Sequence, residues 1–271
     1  MKGMHYAIVG GDRRNLHLKN LLQKKGYIVG IWGFDKINND NINLYDALNS
    51  PTVICGIPFQ KNEQLFAPFS SYSVNIHIIL RKMKHNQLLI GGNLKGLNIN
   101  SSFIDLLTDE TFLRKNAALT AKGVIQIITE ENNINVYNKN IVIIGNGRIG
   151  STCCDIIANL GAKVYVIVKD ISEITSNDTN NFIKYIMYND INNYIDTAQI
   201  IINTPPGEVL TKSHLKFINK EALIIDVSSP PYGISENMEN SIKILRPHGL
   251  PGIVDPLKAA SYIMDLLIKH L

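Results

Sequence analysis

The feature that most constrains this chain is a glycine-rich turn that directly follows an apolar run of strand length. Residues 140–150 read NIVIIGNGRIG and contain the pattern G-x-G-x-x-G. A helix-like segment from Ser151 to Leu160 comes next, and a second strand-like run covers Lys163 to Val168. Strand, glycine turn, helix and strand in this order is the context in which the pattern indicates a dinucleotide site. The segment therefore predicts the start of a Rossmann dinucleotide-binding domain.

Each glycine of the pattern has its own physical role. Gly145 permits the tight turn, Gly147 lets the backbone approach a pyrophosphate, and Gly150 lets the helix pack on the strand. The N-terminus of the helix then offers N–H groups to the anion. We predict that the cofactor contacts the whole turn, which consists of Gly145, Asn146, Gly147, Arg148, Ile149 and Gly150. The alternative is a glycine turn in a methyl-donor-binding or a structural α/β domain.

Length and composition are those of a globular protein with two domains. The chain has 271 residues, 45% of them hydrophobic, and a mean hydropathy of +0.02. No apolar run reaches the ~20 residues that span a bilayer, so we expect no membrane association. The opening segment MKGMHYAIVGGD is read as a first strand, not as a signal peptide. The net charge of +4 comes from scattered lysines, which argues against nucleic-acid binding and suits an anionic small substrate.

The chain has three cysteines, Cys55, Cys153 and Cys154. They lack the spacing of a metal site, so no metal is expected. We expect buried, reduced thiols in a cytosolic protein.

Alternating strand and helix patterns divide the chain into two α/β units. We predict a flavodoxin-like substrate domain over residues 1–114, a connecting helix within 115–139 and the Rossmann domain over 140–254. The C-terminal helix, 255–271, is predicted to pack back on the first domain. Both domains are expected to be doubly wound parallel sheets.

The individual elements follow from apolar periodicity and turn residues. The predicted strands are Tyr6–Gly10, Tyr27–Trp32, Thr52–Cys55, Gln87–Ile90, 140–144, Lys163–Val168, Phe182–Met187, Gln199–Asn203, Ala222–Val227 and Lys243–Leu245. The predicted helices are Asn15–Lys25, Ile76–Lys84, Thr111–Asn132, Ser151–Leu160 and Asp255–Leu271, and Ser176–Asn181 is read as a surface loop.

Further cofactor contacts are expected where strands of the second domain end. Lys169 ends the second strand, where a basic residue suits the 2′-phosphate of NADP and an acidic one suits the ribose hydroxyl of NAD. Lys169 therefore favours NADP, although Asp170 is its neighbour and a shift by one residue would favour NAD. The later strand ends, expected near the nicotinamide, supply Asn203, Thr204, Pro205, Val227 and Ser228.

The first domain offers a different kind of turn. Gly10, Gly11, Asp12 and Arg13 follow its first strand without completing a second G-x-G-x-x-G. A glycine turn at a helix N-terminus beside an arginine suits a carboxylate. Two residues after another strand, Gly56 and Pro58, are expected to line the same cleft.

His248 stands in a loop of glycines and prolines, RPHGLPG, after a predicted strand. The ordinary pKa of histidine makes it a candidate proton acceptor. The alternative is an exposed or structural histidine, which is the commoner case for a lone loop residue.

Five segments together resemble the family of dipicolinate synthase A-subunits. These are GGDRR, NIVIIGNGRIG, IINTPPG, LIIDVSSPPYG and, the most specific, HGLPGIVDPLKAASYI. They occur in the family's order and at similar spacing over essentially the whole chain. The connecting helix departs from the family, because Leu119 and Lys122 stand where the family tends to have Pro and Glu.

The resemblance implies an NADP-dependent oxidation of dihydrodipicolinate to dipicolinate (pyridine-2,6-dicarboxylate) in the mother-cell cytoplasm of a sporulating bacterium. It also implies a partner, the B-subunit of dipicolinate synthase, that resembles a flavin-binding decarboxylase-like protein. On this basis Arg13 and the turn Gly10–Gly11 would bind one carboxylate of the substrate. Thr120 and the loop of His248 would border the ring as candidate catalytic residues.

Two other functions stay open at this point. One is an NAD(P)-dependent reductase of the 2-hydroxyacid type, although no histidine paired with a carboxylate and an arginine is evident in the sequence. The other is a nucleotide-binding scaffold subunit whose partner does the chemistry. The sequence also leaves the oligomeric state open, a homo-oligomer included.

Overall fold

A computed structural model describes residues 3–131, 135–174, 181–235, 238 and 242–270 of the chain. The chain forms two compact units, of which unit 1 comprises Met1–Asn116 with Pro251–Leu271 and unit 2 comprises Ala117–Leu250. Each unit contains a parallel sheet with helices packed against it. The α/β class predicted from the sequence, with two parallel-sheet domains, is confirmed.

In the described residues, unit 1 contains a five-stranded sheet in the order β2-β1-β3-β6-β7. All its strand pairs are parallel. Its strands are β1 (Tyr6–Val9), β2 (Val29–Trp32), β3 (Thr52–Ile54), β6 (Leu88–Gly91) and β7 (Ser102–Asp105), and β4 (Gln60–Lys61) with β5 (Gln64–Leu65) forms a separate hairpin. Its helices are α1 (Arg13–Lys24), α2 (Leu44–Leu48), α3 (Ile76–Lys82) and α8 (Pro256–His270).

Both faces of this sheet are covered, because neighbouring residues of each strand point to opposite sides. Tyr6 and Ile8 belong to a buried cluster with residues of α1 and α8, whereas Ala7 and Val9 belong to a second cluster with residues of α2 and α3. The unit is therefore doubly wound.

Helix α8 packs back on the first unit, as predicted. Ala260, Ile263 and Leu267 are buried in the same cluster as Leu18 and Leu22 of α1. The helix begins with proline, which suits its first position because the missing N–H has no helical partner there. The Oδ1 atom of Asp255 accepts from the N–H of Lys258 at 3.1 Å and so caps this start.

The sheet of unit 2 has the order β10-β9-β8-β11-β12-β13 within the described residues, again with parallel pairs throughout. The strands are β8 (Asn140–Ile144), β9 (Lys163–Val168), β10 (Ile183–Met187), β11 (Ile200–Asn203), β12 (Leu223–Asp226) and β13 (Ile244–Leu245). Its helices are α5 (Arg148–Asn159) and α6 (Asn192–Ile195), and α4 (Glu110–Glu130) runs from unit 1 into unit 2. The strand order reverses between β8 and β11, and ligands of such sheets bind at the carboxyl ends beside this reversal.

The sequence patterns missed several short elements. Strand β7 escaped notice because Ser102 and Phe103 are exposed, so the apolar pattern of a buried strand is absent. The hairpin of β4 and β5, helix α2 and helix α7 (Leu250–Val254), each of two to five residues, were also missed. Helix α7 contains Pro251 and Gly252, which predict a turn.

Three sequence predictions fall wholly or partly outside the described residues. They are the loop at Ser176–Asn181, apart from Asn181, and the two helix ends at Asn132 and Leu271. Among the described helices, none combines the length and apolar character needed to cross a membrane.

Candidate cofactor and substrate sites

The glycine turn after β8 can be built only with glycine at two of its positions. Gly145 has φ +87°, and a Cβ atom there would lie 2.9 Å from Thr204 Oγ1 and 3.0 Å from Pro205 Cδ. A Cβ atom on Gly150 would fall on the carbonyl oxygen of Gly145. Strand β8, the glycine turn and α5 therefore approach one another as closely as the dinucleotide-binding pattern G-x-G-x-x-G, here called the fingerprint, requires.

The third glycine of the turn faces open space. A Cβ atom on Gly147 would meet no atom within 4 Å, and both Gly147 and Arg148 are exposed. Within the described residues, no side chain caps the N-terminus of α5. The main-chain N–H groups at a helix start are a ready site for a phosphate when no internal acceptor takes them.

The corresponding turn of unit 1 is closed by its own residues. Asp12 caps α1 by accepting from the N–H of Arg14 at 3.0 Å, and Asn15 completes a capping box. The N–H of Gly10 donates to Trp32 O at 2.9 Å and that of Gly11 donates to Phe66 O at 2.6 Å. The backbone donors that we expected to hold a substrate carboxylate are thus engaged within the protein.

Asp12 and Arg14 form a tight ion pair. The Nε and Nη2 atoms of Arg14 donate to the Asp12 carboxylate at 2.8–3.1 Å, and Nη2 also donates to Ile57 O at 3.0 Å. The Arg14 side chain is only 3% exposed, whereas Arg13 is exposed. Of the two arginines, Arg13 is the one presented to solvent.

Other sequence-predicted residues of unit 1 gather around this turn. A Cβ atom on Gly56 would lie 2.7 Å from Gly11 Cα and 3.2 Å from Pro58 O, so these loops touch at the carboxyl ends of β1 and β3. A Cβ atom on Gly252 would lie 2.6 Å from Asp12 Oδ2. The conspicuous GLPG segment is thus explained in part by packing, because only glycine fits against the Asp12 carboxylate.

The end of β11 is tied to the glycine turn of unit 2. The N–H and the Oγ1 atom of Thr204 both donate to Ile144 O, at 3.1 and 2.9 Å. Pro205 lies against Gly145. The structure thus brings Thr204 and Pro205 together with the fingerprint, as a shared site requires.

Asn203 and Ser228 belong to a buried network around Asp226. The Asp226 carboxylate, in a residue 1% exposed, accepts from Asn203 Nδ2 at 2.9 Å, Ser228 Oγ at 2.7 Å and the N–H groups of Ser228 and Ile234 at 3.1 Å. Arg246 Nε lies 3.7 Å from the same carboxylate. The side chains of Asn203 and Ser228 therefore hold the loops that follow β11 and β12. Val227, which lies between Asp226 and Ser228, is partly exposed.

Two buried amide oxygens fit the expected ligand. Asn146 Oδ1 and Asn203 Oδ1 have no hydrogen-bond partner among the described residues. They stand at the glycine turn and at the end of β11, where hydroxyl or amide groups of a dinucleotide would supply donors. The residues present therefore fit a dinucleotide.

His248 is exposed, and its Nε2 atom lies 3.4 Å from the hydroxyl oxygen of Tyr232. The guanidinium of Arg246 lies over the Tyr232 ring, 4.9 Å from its centre. Sequence reasoning missed Tyr232, Arg246 and Asp226 as a set, although Arg246 stands two residues before His248. The set orients the loop that carries the histidine.

The connecting helix is regular where it departs from the family pattern. Leu119 and Thr120 are buried in α4, and Lys122 is exposed. Like Val124 and Ile128 of the same helix, Leu119 has a buried side chain.

The end of β9 carries the residues expected to contact the ribose. Lys169 and Asp170 are exposed, and the Oε1 atom of Glu173 accepts from both of their N–H groups, at 2.9 and 3.1 Å. Hydrogen bonds from Ser172 lower the pKa of Asp170, so this side chain is a carboxylate at neutral pH. Sequence reasoning did not single out Glu173.

Two family models match separate parts of the chain. Residues 5–98 match the model of the N-terminal domain of the dipicolinate synthase A-subunit, and residues 127–244 match that of shikimate / quinate 5-dehydrogenase. The dipicolinate synthase A-subunit of Bacillus subtilis (strain 168) is 24% identical, over 100% of this chain and 97% of the relative.

Solved structures share the fold. The dipicolinate synthase A-subunit from Bacillus halodurans superposes with a TM-score of 0.83 at 23% identity, over 98% of this chain and 97% of that one. An L-alanine dehydrogenase has a TM-score of 0.63 at 13% identity, over 97% of this chain and 88% of that one. These structures share a dehydrogenase-type fold with this chain.

Proposed function

Since this chain resembles the A-subunit of dipicolinate synthase from end to end, we propose that it oxidises dihydrodipicolinate to dipicolinate with NAD(P)⁺ during sporulation. The observation that carries the proposal is the uncapped start of α5 behind the glycine turn, beside the reversal of strand order. The proposed partner is the flavoprotein-like B-subunit of the same enzyme, and the proposed location is the mother-cell cytoplasm. Association with further copies of this chain is compatible with the proposal.

The reaction removes a hydride and a proton from the dihydropyridine ring. A bound nicotinamide dinucleotide would accept the hydride, and formation of the aromatic ring makes the step favourable. The chain then needs to orient the ring and to accept one proton, so positioning carries much of the catalysis. His248 is the proposed proton acceptor, and Thr120 the second proposed catalytic residue.

The substrate carries two carboxylates, so cationic anchors are expected. Arg13 is the proposed anchor in unit 1, because it is exposed while Arg14 is committed to Asp12. The turn of Gly10, Gly11 and Asp12 and the residues Gly56 and Pro58 then shape the surface around Arg13. Their main-chain donors contribute less than the sequence suggests, because Gly10 and Gly11 already donate to Trp32 and Phe66.

In unit 2 the proposed cofactor contacts are the glycine turn from Gly145 to Gly150, the strand ends at Asn203, Thr204 and Pro205, and the loop of Val227 and Ser228. The exposed ammonium of Lys169 supports NADP as the cofactor, with NAD as the alternative.

Titration of the purified chain with NADPH and with NADH, followed by nicotinamide fluorescence, is the first test. The second is formation of dipicolinate from dihydrodipicolinate, with and without the flavoprotein-like partner. Binding of a dinucleotide with oxidation by the chain alone supports the proposal. Failure to bind either dinucleotide, both in isolation and in the presence of that partner, contradicts it.

A scaffold role is the second candidate function. Within the described residues, the contacts of His248 are with Tyr232, and no histidine–carboxylate pair is formed by this residue there. Dinucleotide binding without oxidation, in an assay where the flavoprotein-like partner is active by itself, would favour this function. Turnover of small 2-keto acids would instead identify a reductase of the 2-hydroxyacid type.

A further inference from the structure

The two main-chain N–H groups that follow β9 are already occupied by an anion of the protein itself. Glu173 Oε1 accepts from Lys169 N at 2.9 Å and from Asp170 N at 3.1 Å. An oxygen of a bound phosphate would require donors of the same kind. The side chain of Glu173 thus takes the position that a phosphate group could otherwise use.

Glu173 is fixed beside the glycine turn. Asn146 Nδ2, within that turn, donates to Glu173 O at 2.7 Å. The N–H of Gly145 donates to Ile167 O at 2.9 Å, which joins the same turn to β9. A dinucleotide whose pyrophosphate lies on the start of α5 places its adenosine ribose at the end of the neighbouring strand, which here is β9. The Glu173 carboxylate is therefore in the ribose corner.

The two possible cofactors differ at this corner. NAD carries a hydroxyl at the ribose 2′ position and NADP carries a phosphate there. A carboxylate accepts a hydrogen bond from the hydroxyl, but it repels the phosphate. The side chains at this strand end are one ammonium, Lys169, and two carboxylates, Asp170 and Glu173, so their summed charge is negative.

We propose that Glu173 determines the specificity of the dinucleotide site by opposing the 2′-phosphate of NADP and accepting the 2′-hydroxyl of NAD. This inference rests on the proposed function, since it needs a dinucleotide in unit 2. Lys169 and Glu173 then act in opposite directions, and the ratio of the two affinities reports their balance.

The test is a titration of four proteins with NADH and with NADPH at low ionic strength. They are the wild type, Glu173→Gln, Lys169→Gln and the control Glu221→Gln, which removes an exposed carboxylate at the opposite, amino-terminal edge of the sheet. The measured quantity is the ratio of the dissociation constant for NADPH to that for NADH. We expect Glu173→Gln to lower this ratio by about tenfold and Lys169→Gln to raise it. The shift at Glu173 should shrink in high salt.

An unchanged ratio in Glu173→Gln, with binding intact, overturns this inference and leaves the proposed function standing. An equal shift in Glu221→Gln also overturns it, because the cause would then be total charge. If wild type binds neither dinucleotide, the proposed function fails and this inference fails with it.

Discussion

At the scale of single residues, the glycine turn of unit 2 separates two requirements that the fingerprint combines. Gly150 is needed by the fold, because its Cβ atom would fall on Gly145 O. Gly147 is not needed by the packing of the fold, because the space around it is open, and we propose that the dinucleotide needs it. The two positions can therefore be tested against each other.

Gly150→Ala should lower the free energy of unfolding by about 1–3 kcal/mol, since an inserted methyl group forces the strand and helix apart. Gly147→Ala should leave the unfolding free energy nearly unchanged and weaken dinucleotide binding, because the added methyl group lies where the pyrophosphate approaches. Urea unfolding and nicotinamide fluorescence measure the two effects. Loss of stability in Gly147→Ala, or full binding by it, would contradict this assignment.

The arginine pair of unit 1 offers a similar contrast. Arg14→Ala leaves the largely buried Asp12 carboxylate without its partner and should destabilise the protein by roughly 3 kcal/mol. Arg13→Ala should leave stability unchanged, raise the apparent KM for the dihydropyridine substrate and leave dinucleotide binding intact. Steady-state kinetics with thermal melts separates the two variants. An unaltered KM in Arg13→Ala would remove this residue from the proposed substrate site.

Local sequence was enough to find the glycine turn, but not the residues that act across loops. Gly145, Gly147 and Gly150 stand within six positions of one another, so their spacing is visible in the chain. Asp226 and Arg246 are 20 positions apart, and no pattern joins them. Glutamate is usually a surface residue, so nothing in the sequence singles out Glu173. Its proposed role in dinucleotide specificity depends on the path of the backbone after β9.

At the scale of elements, the ends of β11 and β12 are held by one buried carboxylate. Asp226 accepts hydrogen bonds from the side chain of Asn203 and from the loop at Ser228 and Ile234. Such a charge is tolerated because its acceptors are satisfied and Arg246 lies beside it. The network therefore fixes the two loops that border the proposed nicotinamide position.

Asp226→Asn should destabilise the protein by roughly 3 kcal/mol, because an amide nitrogen would face N–H donors and Arg246 would lose its counter-charge. The control Asp196→Asn changes an exposed residue of the same unit and should have little effect. Urea unfolding measures both. Equal stability of the two variants would show that the network contributes nothing.

Apolar pattern, more than length, decided which elements were predictable: β3 and β13 were predicted although they have three and two residues. Strand β8 is a continuous buried apolar run after its first residue, and the helices α1, α5 and α8 have enough residues to show a buried period. Helix α7 has five residues, and its Gly252 packs against the Asp12 carboxylate. This contact joins distant parts of the chain and is therefore not visible in the local sequence. The edge strand β7 is held by pairing with β6 more than by burial of its side chains.

At the scale of the whole molecule, the same kind of turn occurs in both units but its helix start is capped in only one of them. Both units place a glycine turn between a first strand and a helix. In unit 1 the start of the helix is capped by Asp12, whereas in unit 2 the start of α5 has no side-chain cap among the described residues. A dinucleotide should therefore stabilise unit 2.

Alkylation of the three cysteines can measure this stabilisation of unit 2. Burial raises the pKa of the Cys55 thiol, and burial together with the neighbouring Cys154 raises the pKa of Cys153 to about 12. Because the Cys153 thiol has a higher pKa in the folded than in the unfolded chain, it contributes to the free energy of unfolding. This contribution is complete below pH 9.0, the ordinary thiol pKa, and is lost as the pH rises towards about 12. At pH ~8 the folded thiols of Cys55 and Cys153 are protonated, and all three cysteines are buried, so alkylation requires opening of the structure. Cys55 lies in unit 1, and Cys153 and Cys154 lie on α5.

We expect a dinucleotide at about 100 times its Kd to slow alkylation of Cys153 and Cys154 by up to ~100-fold, since binding to the closed form lowers the open population in that proportion. Cys55 should be slowed less, because its opening does not require release of the ligand. Mass spectrometry of the labelled peptides gives the three rates separately. Protection confined to Cys55 would place the dinucleotide on unit 1, at a helix start that Asp12 already occupies, and would reverse the division of labour between the two turns.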